Sequence, residues 1–242
     1  MNLDGKRIVI IGGASGIGYA VAEGAIAEGA EVVIGSSQPA NVQGAVTKLG
    51  NKASGHPVNV KVEDEVARFF EWAGPFDHLV FTAGDWGGFR SPRPLAETDL
   101  DAAAENYAVR HWGALKAVKH GAPRMRDGGS VVLTNGMVAH RPQKGRPIST
   151  AMAGGIEHLV RGLAVDLAPI RVNAVCPGAI RTGVWDSIPA DTREAQLSAM
   201  TRRLPIPRVG EPGEVAEAYL HLLKAGYTTG QVLLVDGGGS VV

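Results

Sequence analysis

The sequence predicts an α/β fold, a doubly wound parallel sheet of about seven strands with helices on both faces, in a single domain over residues 1–242. Three observations predict it. Short apolar runs rich in Val and Ile alternate with longer segments of helical period along the whole chain, the pattern that builds parallel sheets. The first such run leads directly into a Gly-rich turn and then a helix. No internal repeat or low-complexity linker divides the 242 residues, and α/β folds of this size commonly hold one core.

Taken in order, Ile8-Val9-Ile10-Ile11 is short and β-branched, so it reads as a strand buried on both faces. Ile17, Val21, Ala25 and Ile26 then recur at helical spacing. Between them, Gly12-Gly13-Ala14-Ser15-Gly16-Ile17-Gly18 is a dinucleotide fingerprint with a physical basis. Gly12 permits a tight turn, Gly16 lets the backbone approach a pyrophosphate, and Gly18 lets the helix pack on the strand. Backbone N–H groups from Ser15 onward face the phosphate charge.

Glu31-Val32-Val33-Ile34-Gly35 is a second buried strand. An acidic residue at its end would bind the adenine ribose hydroxyls of NAD; this chain has Ser36-Ser37-Gln38. Two serines can hydrogen-bond a 2′-phosphate and no carboxylate repels it, so NADP(H) is favoured over NAD(H). The bland alternative for the serines is a plain loop. A helix over 40–49 leads to a third strand ending at Asn59-Val60, then come a helix over 64–73 and a fourth strand over 77–82. A long helix over 99–121, a fifth strand over 128–134, a helix over 147–168 and a sixth strand over 170–176 follow. Residues 183–210, with their prolines and charges, read as a lid over the site. The last helix opens at 211–216, and 229–238 closes the sheet.

The 24 basic and 24 acidic side chains balance, which argues against a nucleic-acid or membrane-surface role resting on net charge. No apolar stretch reaches the length of a membrane span, and the first strand starts too early to leave room for a signal peptide. Cys176 is the only cysteine, so no internal disulfide or thiolate cluster for a metal is expected. A cytoplasmic protein with a small-molecule substrate or ligand follows, with neither nucleic acid nor membrane as partner.

Gly12, Gly16, Ile17 and Gly18 match the pattern Thr-Gly-x-x-x-Gly-Ile-Gly, with Ile11 in place of the Thr. Ala83-Gly84 matches the end of Asn-Asn-Ala-Gly, and Pro177-Gly178-Ala179-Ile180-Arg181-Thr182 matches Pro-Gly-x-Ile-x-Thr. In these motifs, and over residues 6–239, the chain resembles the short-chain dehydrogenase/reductase family, whose fold is a Rossmann-type sheet. The resemblance implies that Asn59 and Val60, where the family has Asp-Val, hold the adenine. It implies that Ala83 and Gly84 approach the cofactor ribose, and that Pro177, Gly178, Ile180 and Thr182 grip the nicotinamide carboxamide. It also implies a homodimer or homotetramer, with helices 99–121 and 147–168 paired across a two-fold axis.

In the family a hydride passes between nicotinamide and a carbonyl or alcohol carbon while a Tyr hydroxyl transfers the proton. A Lys four residues later lowers the phenol pKa and holds the ribose, a Ser orients the carbonyl, and an Asn in the long helix holds a relay water. Anchored on Gly113, Pro123, Gly128-Gly129-Ser130, Ala151 and Gly155, the resemblance puts the Asn position on Arg110, the Ser on Gly136, the Tyr on Ser149 and the Lys on Ala153. An aliphatic alcohol is a far weaker acid than a phenol, and Ala153 brings no charge, so the family's proton transfer is not expected.

Arg110 is the best catalytic candidate, a fixed charge that could bind a carboxylate or polarise a carbonyl, the alternative being a salt bridge within the helix pair. Tyr107, one helical turn earlier, reads as the only phenol nearby, or as packing. Asp85 is a candidate base or a solvated loop carboxylate, and the basic loop 140–146 an attractor of anions or a solvated loop. Three functions compete. One is an NAD(P)(H)-dependent oxidoreductase of unknown substrate with a non-standard active site. The second is a cofactor-binding protein without turnover, a sensor or silent subunit; the third is a non-redox isomerase or lyase using Arg110 as an electrophile.

Overall fold

A computed structural model describes residues 2–84 and 93–242, apart from the side chain of Asn106. Its strands are β1 (Arg7–Ile11), β2 (Glu31–Ser36), β3 (Ala53–Pro57), β4 (Phe76–Phe81), β5 (Met125–Thr134), β6 (Arg171–Pro177) and β7 (Val232–Val235). They form one sheet in the order β3-β2-β1-β4-β5-β6-β7, parallel throughout. The predicted doubly wound architecture is therefore the observed one. Strand order reverses between β1 and β4, the place where such sheets bind ligands at the carboxyl ends of their strands.

The helices are α1 (Gly16–Ala27), α2 (Pro39–Leu49), α3 (Glu63–Ala73), α4 (Leu100–Tyr107), α5 (Ala114–Gly121), α6 (Pro147–Asp166), α7 (Ala190–Thr201) and α8 (Pro212–Lys224). Side chains alternate across each strand, which divides the core in two. Ile8, Ile10 and Val80 pack with α1 and α8, while Val9, Ile11 and Phe81 pack with α3, α5 and α6.

Several boundaries differ from the sequence reading. β3 ends at Pro57, before Asn59 and Val60. Pro57 has no N–H for the ladder, and the Asn59 side-chain oxygen accepts from Lys61 N at 3.1 Å, which starts a turn. The long helix is interrupted: Ala108–Gly113 winds as a π-helix between α4 and α5. Gly113 lets that wider segment close onto the turn after β3, because a Cβ there would lie 2.8 Å from Val60 Cγ2. β5 starts earlier, at Met125, and β7 is shorter, Val232–Val235. Within 183–210 lies the regular helix α7.

Where the strands begin, charge is matched to charge. Asp77 accepts from Lys6 Nζ at 3.1 Å, Arg7 N at 2.9 Å and Arg126 Nη1 at 2.9 Å, so one carboxylate ties β1, β4 and β5 together. Burial pushes that carboxyl up, but these donors outweigh it and hold its pKa below the ordinary value. Arg171 of β6, buried, donates to Leu222 O, Leu223 O and Ala225 O at 2.8–2.9 Å, capping the open carbonyls of α8. His78 lies buried beside them, and its Nδ1 has no partner among the described residues.

Among the described residues, no helix is long and apolar enough to cross a membrane. No group of three or more His, Cys, Asp or Glu side chains there is placed to hold a metal ion.

Candidate functional site

The opposite ends of the strands carry the site. Gly12 (φ +91°) turns the chain out of β1 and Gly16 (φ +54°) turns it into α1, both in the left-handed region that glycine tolerates. A Cβ on Gly12 would lie 2.5 Å from Ala83 N, and one on Gly18 would collide with the Gly12 carbonyl; both positions are fixed by packing. Gly16 differs. A Cβ there would meet only Thr182, at 3.3 Å, so the turn after β1 faces the segment after β6 across a narrow gap.

At the start of α1, Ser15 makes no side-chain capping bond and the first turn holds no acidic residue. The leading N–H groups, Ile17's included, are thus left to an anion rather than to a side chain. Backbone approach at Gly16, uncapped N–H groups and an opposed hydroxyl residue fit a pyrophosphate.

The hydroxyl absent at Ile11 is supplied from another strand. Thr82, following β4, donates Oγ1–H to Ile11 O at 3.2 Å, and Ile11 O also accepts from Thr82 N at 2.8 Å and Ala83 N at 3.1 Å. The same hydroxyl lies where a Cβ on Gly12 or Gly18 would go. Sequence reasoning missed this brace because Thr82 stands where the resembling motif has Asn, and only the parallel register Ile11↔Phe81 brings the two residues together.

On the adenine side, Ser36 is the last residue of β2 and half-buried, with Ser37 exposed beyond it. Val60 is buried. The Asn59 carbonyl is engaged by Lys61 N, and Asn59 N donates to Glu65 Oε2 at 2.9 Å. Past β6, Gly178 is a packing glycine, since a Cβ would come within 2.8 Å of Asp236 Cα. Pro177 closes the strand, and Ile180 is buried and bridges in parallel to Gly210. Arg181 N donates to Gly210 O and Gly210 N to Ala179 O, both at 2.9 Å, so the segment 183–210 leaves and returns at one pair of roots.

The four candidate catalytic positions lie in the π-helical segment, past the end of β5 and on α6. Arg110, half-buried in the π-helical segment, lays its guanidinium on Gly84; a Cβ on Gly84 would sit 2.5 Å from Nη2 and 3.0 Å from Cζ. Gly136, extended at φ −155°, has open space around its missing Cβ. Ser149 and Ala153 are buried on one face of α6. Asp85 lies outside the described residues.

Tyr107 is not the only phenol nearby. Tyr219 of α8, fully buried, donates to Thr134 Oγ1 at 2.6 Å, which in turn donates to Phe81 O at 2.6 Å. Burial pushes this phenol above its ordinary pKa, and the Thr134 bond and the Arg110 charge pull against it without prevailing. It is a locked donor, unsuited to proton transfer near neutral pH. Tyr219 stands on the apolar stripe of α8 with Val215, Leu222 and Leu223, and a tyrosine on such a stripe was its only mark in the sequence.

The first two residues of the basic loop are tied inward. His140 Nε2 lies 2.7 Å from Glu157 Oε1, which also accepts from Asn135 Nδ2 at 2.8 Å, and Arg141 Nη1 donates to Gly239 O at 3.1 Å. Burial, then Glu157 and Asp236, push the Cys176 thiol up to about 12, so it is no nucleophile.

A family model described as "Enoyl-(Acyl carrier protein) reductase" matches residues 12–240. "Short-chain dehydrogenase/reductase malC" of Malbranchea aurantiaca is 34% identical, over 98% of this chain and 95% of the relative. A solved "MalC Reductase/Diels-Alderase" from that organism superposes with a TM-score of 0.91 at 33% identity, covering 99% of this chain and 98% of the other. A small-chain dehydrogenase solved in complex with NADPH gives a TM-score of 0.83 at 31% identity, over 99% and 100% of the two chains. A short chain oxidoreductase from Pseudomonas aeruginosa PAO1, described as "Containing an Atypical Catalytic Center", gives 0.88 at 26% identity, over 98% of each.

Proposed function

The chain belongs to the short-chain dehydrogenase/reductase family, and we propose that it is an NADP(H)-preferring oxidoreductase acting on a small molecule through a non-standard active site. The observation that carries the cofactor half is the Gly16 turn, uncapped and facing Thr182. The NADPH held by a structural relative supports it. Gly12, Ser15, Gly16, Ile17 and Gly18 would hold the pyrophosphate and Ser36 and Ser37 the adenine ribose. Asn59 and Val60 would flank the adenine, Ala83 and Gly84 the second ribose, and Pro177, Gly178, Ile180 and Thr182 the nicotinamide. When bound, the nicotinamide supplies or accepts a hydride.

The chemical half rests on Arg110, with Gly136, Ser149 and Ala153, at the positions where the family carries its catalytic groups. Each pKa unit against proton transfer costs up to about 1.4 kcal/mol, so a serine alcohol at 149 without a neighbouring cation is a poor substitute for the phenol. Arg110 keeps its charge at any working pH. It would stabilise negative charge developing on a substrate oxygen, with the proton coming from water or the substrate itself. The segment 183–210, rooted at Ile180 and Gly210, would close over the substrate and exclude water.

A second reading is a redox-neutral reaction with Arg110 as the electrophile, favoured by the name Reductase/Diels-Alderase on a relative one third identical. One experiment separates the readings: nicotinamide absorbance followed across a broad carbonyl and alcohol panel, with mass analysis of every mixture. Oxidation of NADPH with a reduced product supports the first reading. An isomerised or cleaved product at constant absorbance supports the second, and no conversion with intact cofactor binding points to a silent binding protein. Titration calorimetry with NADPH and NADH tests the preference, and tighter NADH binding sinks it.

The location proposed is the cytoplasm, in keeping with a single buried cysteine. The assembly proposed is a homodimer or homotetramer through α4–α5 and α6. Trp112 in the π-helical segment and Val165 on α6 are 58% and 82% exposed, and Gly154 and Gly162 leave α6 open to close approach. Light scattering should show no major species at the 25.2 kDa of one chain.

A further inference from the structure

We propose that Arg110 supplies, at the nicotinamide ribose, the positive charge that a lysine at position 153 would otherwise bring. The inference rests on the cofactor reading above and moves one charge between two helices. Gly84 shows where that charge lies. A Cβ on Gly84 would fall 2.5 Å from Arg110 Nη2, 3.0 Å from Cζ and 3.2 Å from Nε, so the guanidinium plane covers its Cα. Gly84 has no positive φ; the guanidinium lies in the space that a side chain there would take. The end of β4 beside β1 is the switch point of the sheet, where the middle of a dinucleotide crosses.

The π-helical segment and α6 touch close to positions 110 and 153. A Cβ on Gly155, two residues past Ala153, would lie 2.6 Å from the ring of His111, the residue after Arg110. Ala153 itself is 6% exposed and ends in a methyl group. The π-helical winding of Ala108–Gly113, seated on Val60 through Gly113, aims position 110 from the helix layer across to β4. A guanidinium presents its N–H donors in one plane, a geometry suited to the paired hydroxyls of a ribose.

The test needs no substrate. NADPH and adenosine 2′,5′-bisphosphate, which lacks the nicotinamide ribose, are titrated calorimetrically into the wild type, Arg110→Ala, Arg110→Lys and Arg110→Ala/Ala153→Lys, with melting curves for each. Arg110→Ala should weaken NADPH about tenfold, the size of one charge-assisted pair of hydrogen bonds, and leave the bisphosphate within about twofold of its wild-type affinity. Ala153→Lys should then restore most of the NADPH affinity. Should that double variant not fold, Arg110→Lys decides, since it keeps the charge and should stay within about threefold of wild type.

Equal losses for both ligands, or none for either, overturn the assignment. A folded double variant as weak as Arg110→Ala overturns the exchange of charge. A wild type that binds neither ligand defeats the cofactor reading and this assignment with it. A wild type that binds both, joined by an Arg110→Ala variant with unchanged NADPH affinity, defeats this assignment alone.

Discussion

At the edge of the sheet where the strands begin, Asp77 gathers Lys6, Arg7 N and Arg126, and Arg171 is spent on the last carbonyls of α8. At the edge where they end, the polar groups are the uncapped N–H groups of α1, hydroxyls locked in short chains, and the Arg110 guanidinium against Gly84. The same strands supply both edges. At the first, the charged groups are paired within the fold, so a change there costs stability. At the second, the leading N–H groups of α1 face a gap between loops, so a change there should cost binding while the fold persists.

The largest effect should come from Gly16→Val. A valine at φ +54° costs the fold about 1–2 kcal/mol, whereas it blocks the close backbone approach outright. NADPH affinity should fall by more than about a hundredfold. Unchanged affinity in a folded variant would show that the turn is not the pyrophosphate site and would erase the contrast between the edges.

The next effect belongs to the other edge and to pH. Burial, with Arg171 and Lys6 adding to it and Asp77 opposing, lowers the His78 pKa to about 4 from an ordinary 6.5. A histidine held neutral in the fold but protonated when unfolded leaves stability intact above pH 6.5. Stability then declines as pH falls toward 4, by up to about 3 kcal/mol in all. Urea unfolding at pH 7, 5.5 and 4.5 should show that decline, and His78→Phe should remove most of it. A flat profile in the wild type would mean that His78 is hydrated and that this edge is less sealed than its burial indicates.

The smallest expected effect is none. Ser149→Tyr/Ala153→Lys places a phenol and an ammonium on one face of α6, yet Arg110 would stand beside the new lysine and depress its pKa or displace it. Gly136 still offers nothing to orient a carbonyl. No NADPH oxidation on simple ketones is expected until Arg110→Asn and Gly136→Ser are added. The open space around Gly136 admits a serine. Robust turnover by the double variant alone would show that Arg110 does not act in the cleft.

The sheet was readable because buried parallel strands are written as unbroken runs such as Ile8 to Ile11, and the Gly-rich turn because its backbone angles admit few residues. Other features left no local trace. The π-turn at Ala108–Gly113 is one short segment between two helices with no Pro to mark it, so a single long helix was the natural reading. The end of β3 depended on what Asn59 bonds to, a choice its residue type leaves open between ligand and turn. Tyr219 reaches Thr134 across 85 positions, and Thr82 reaches Ile11 across 71. Spacing along the chain is blind to partners that only the sheet brings together. Arg110 stood out early because a charge occupied a place expected to be neutral, but its resting place on Gly84 needed the structure.

Three donors from the end of β4 converge on the Ile11 carbonyl, so the Gly-rich turn has its shape before any ligand arrives. A surface already set does not have to be ordered during an encounter, and ordering is what slows the capture of ligands by soft loops. Capture at this turn should therefore run at a pace set by diffusion and orientation. Any slow phase would arise elsewhere, in the segment that departs at Ile180 and rejoins at Gly210.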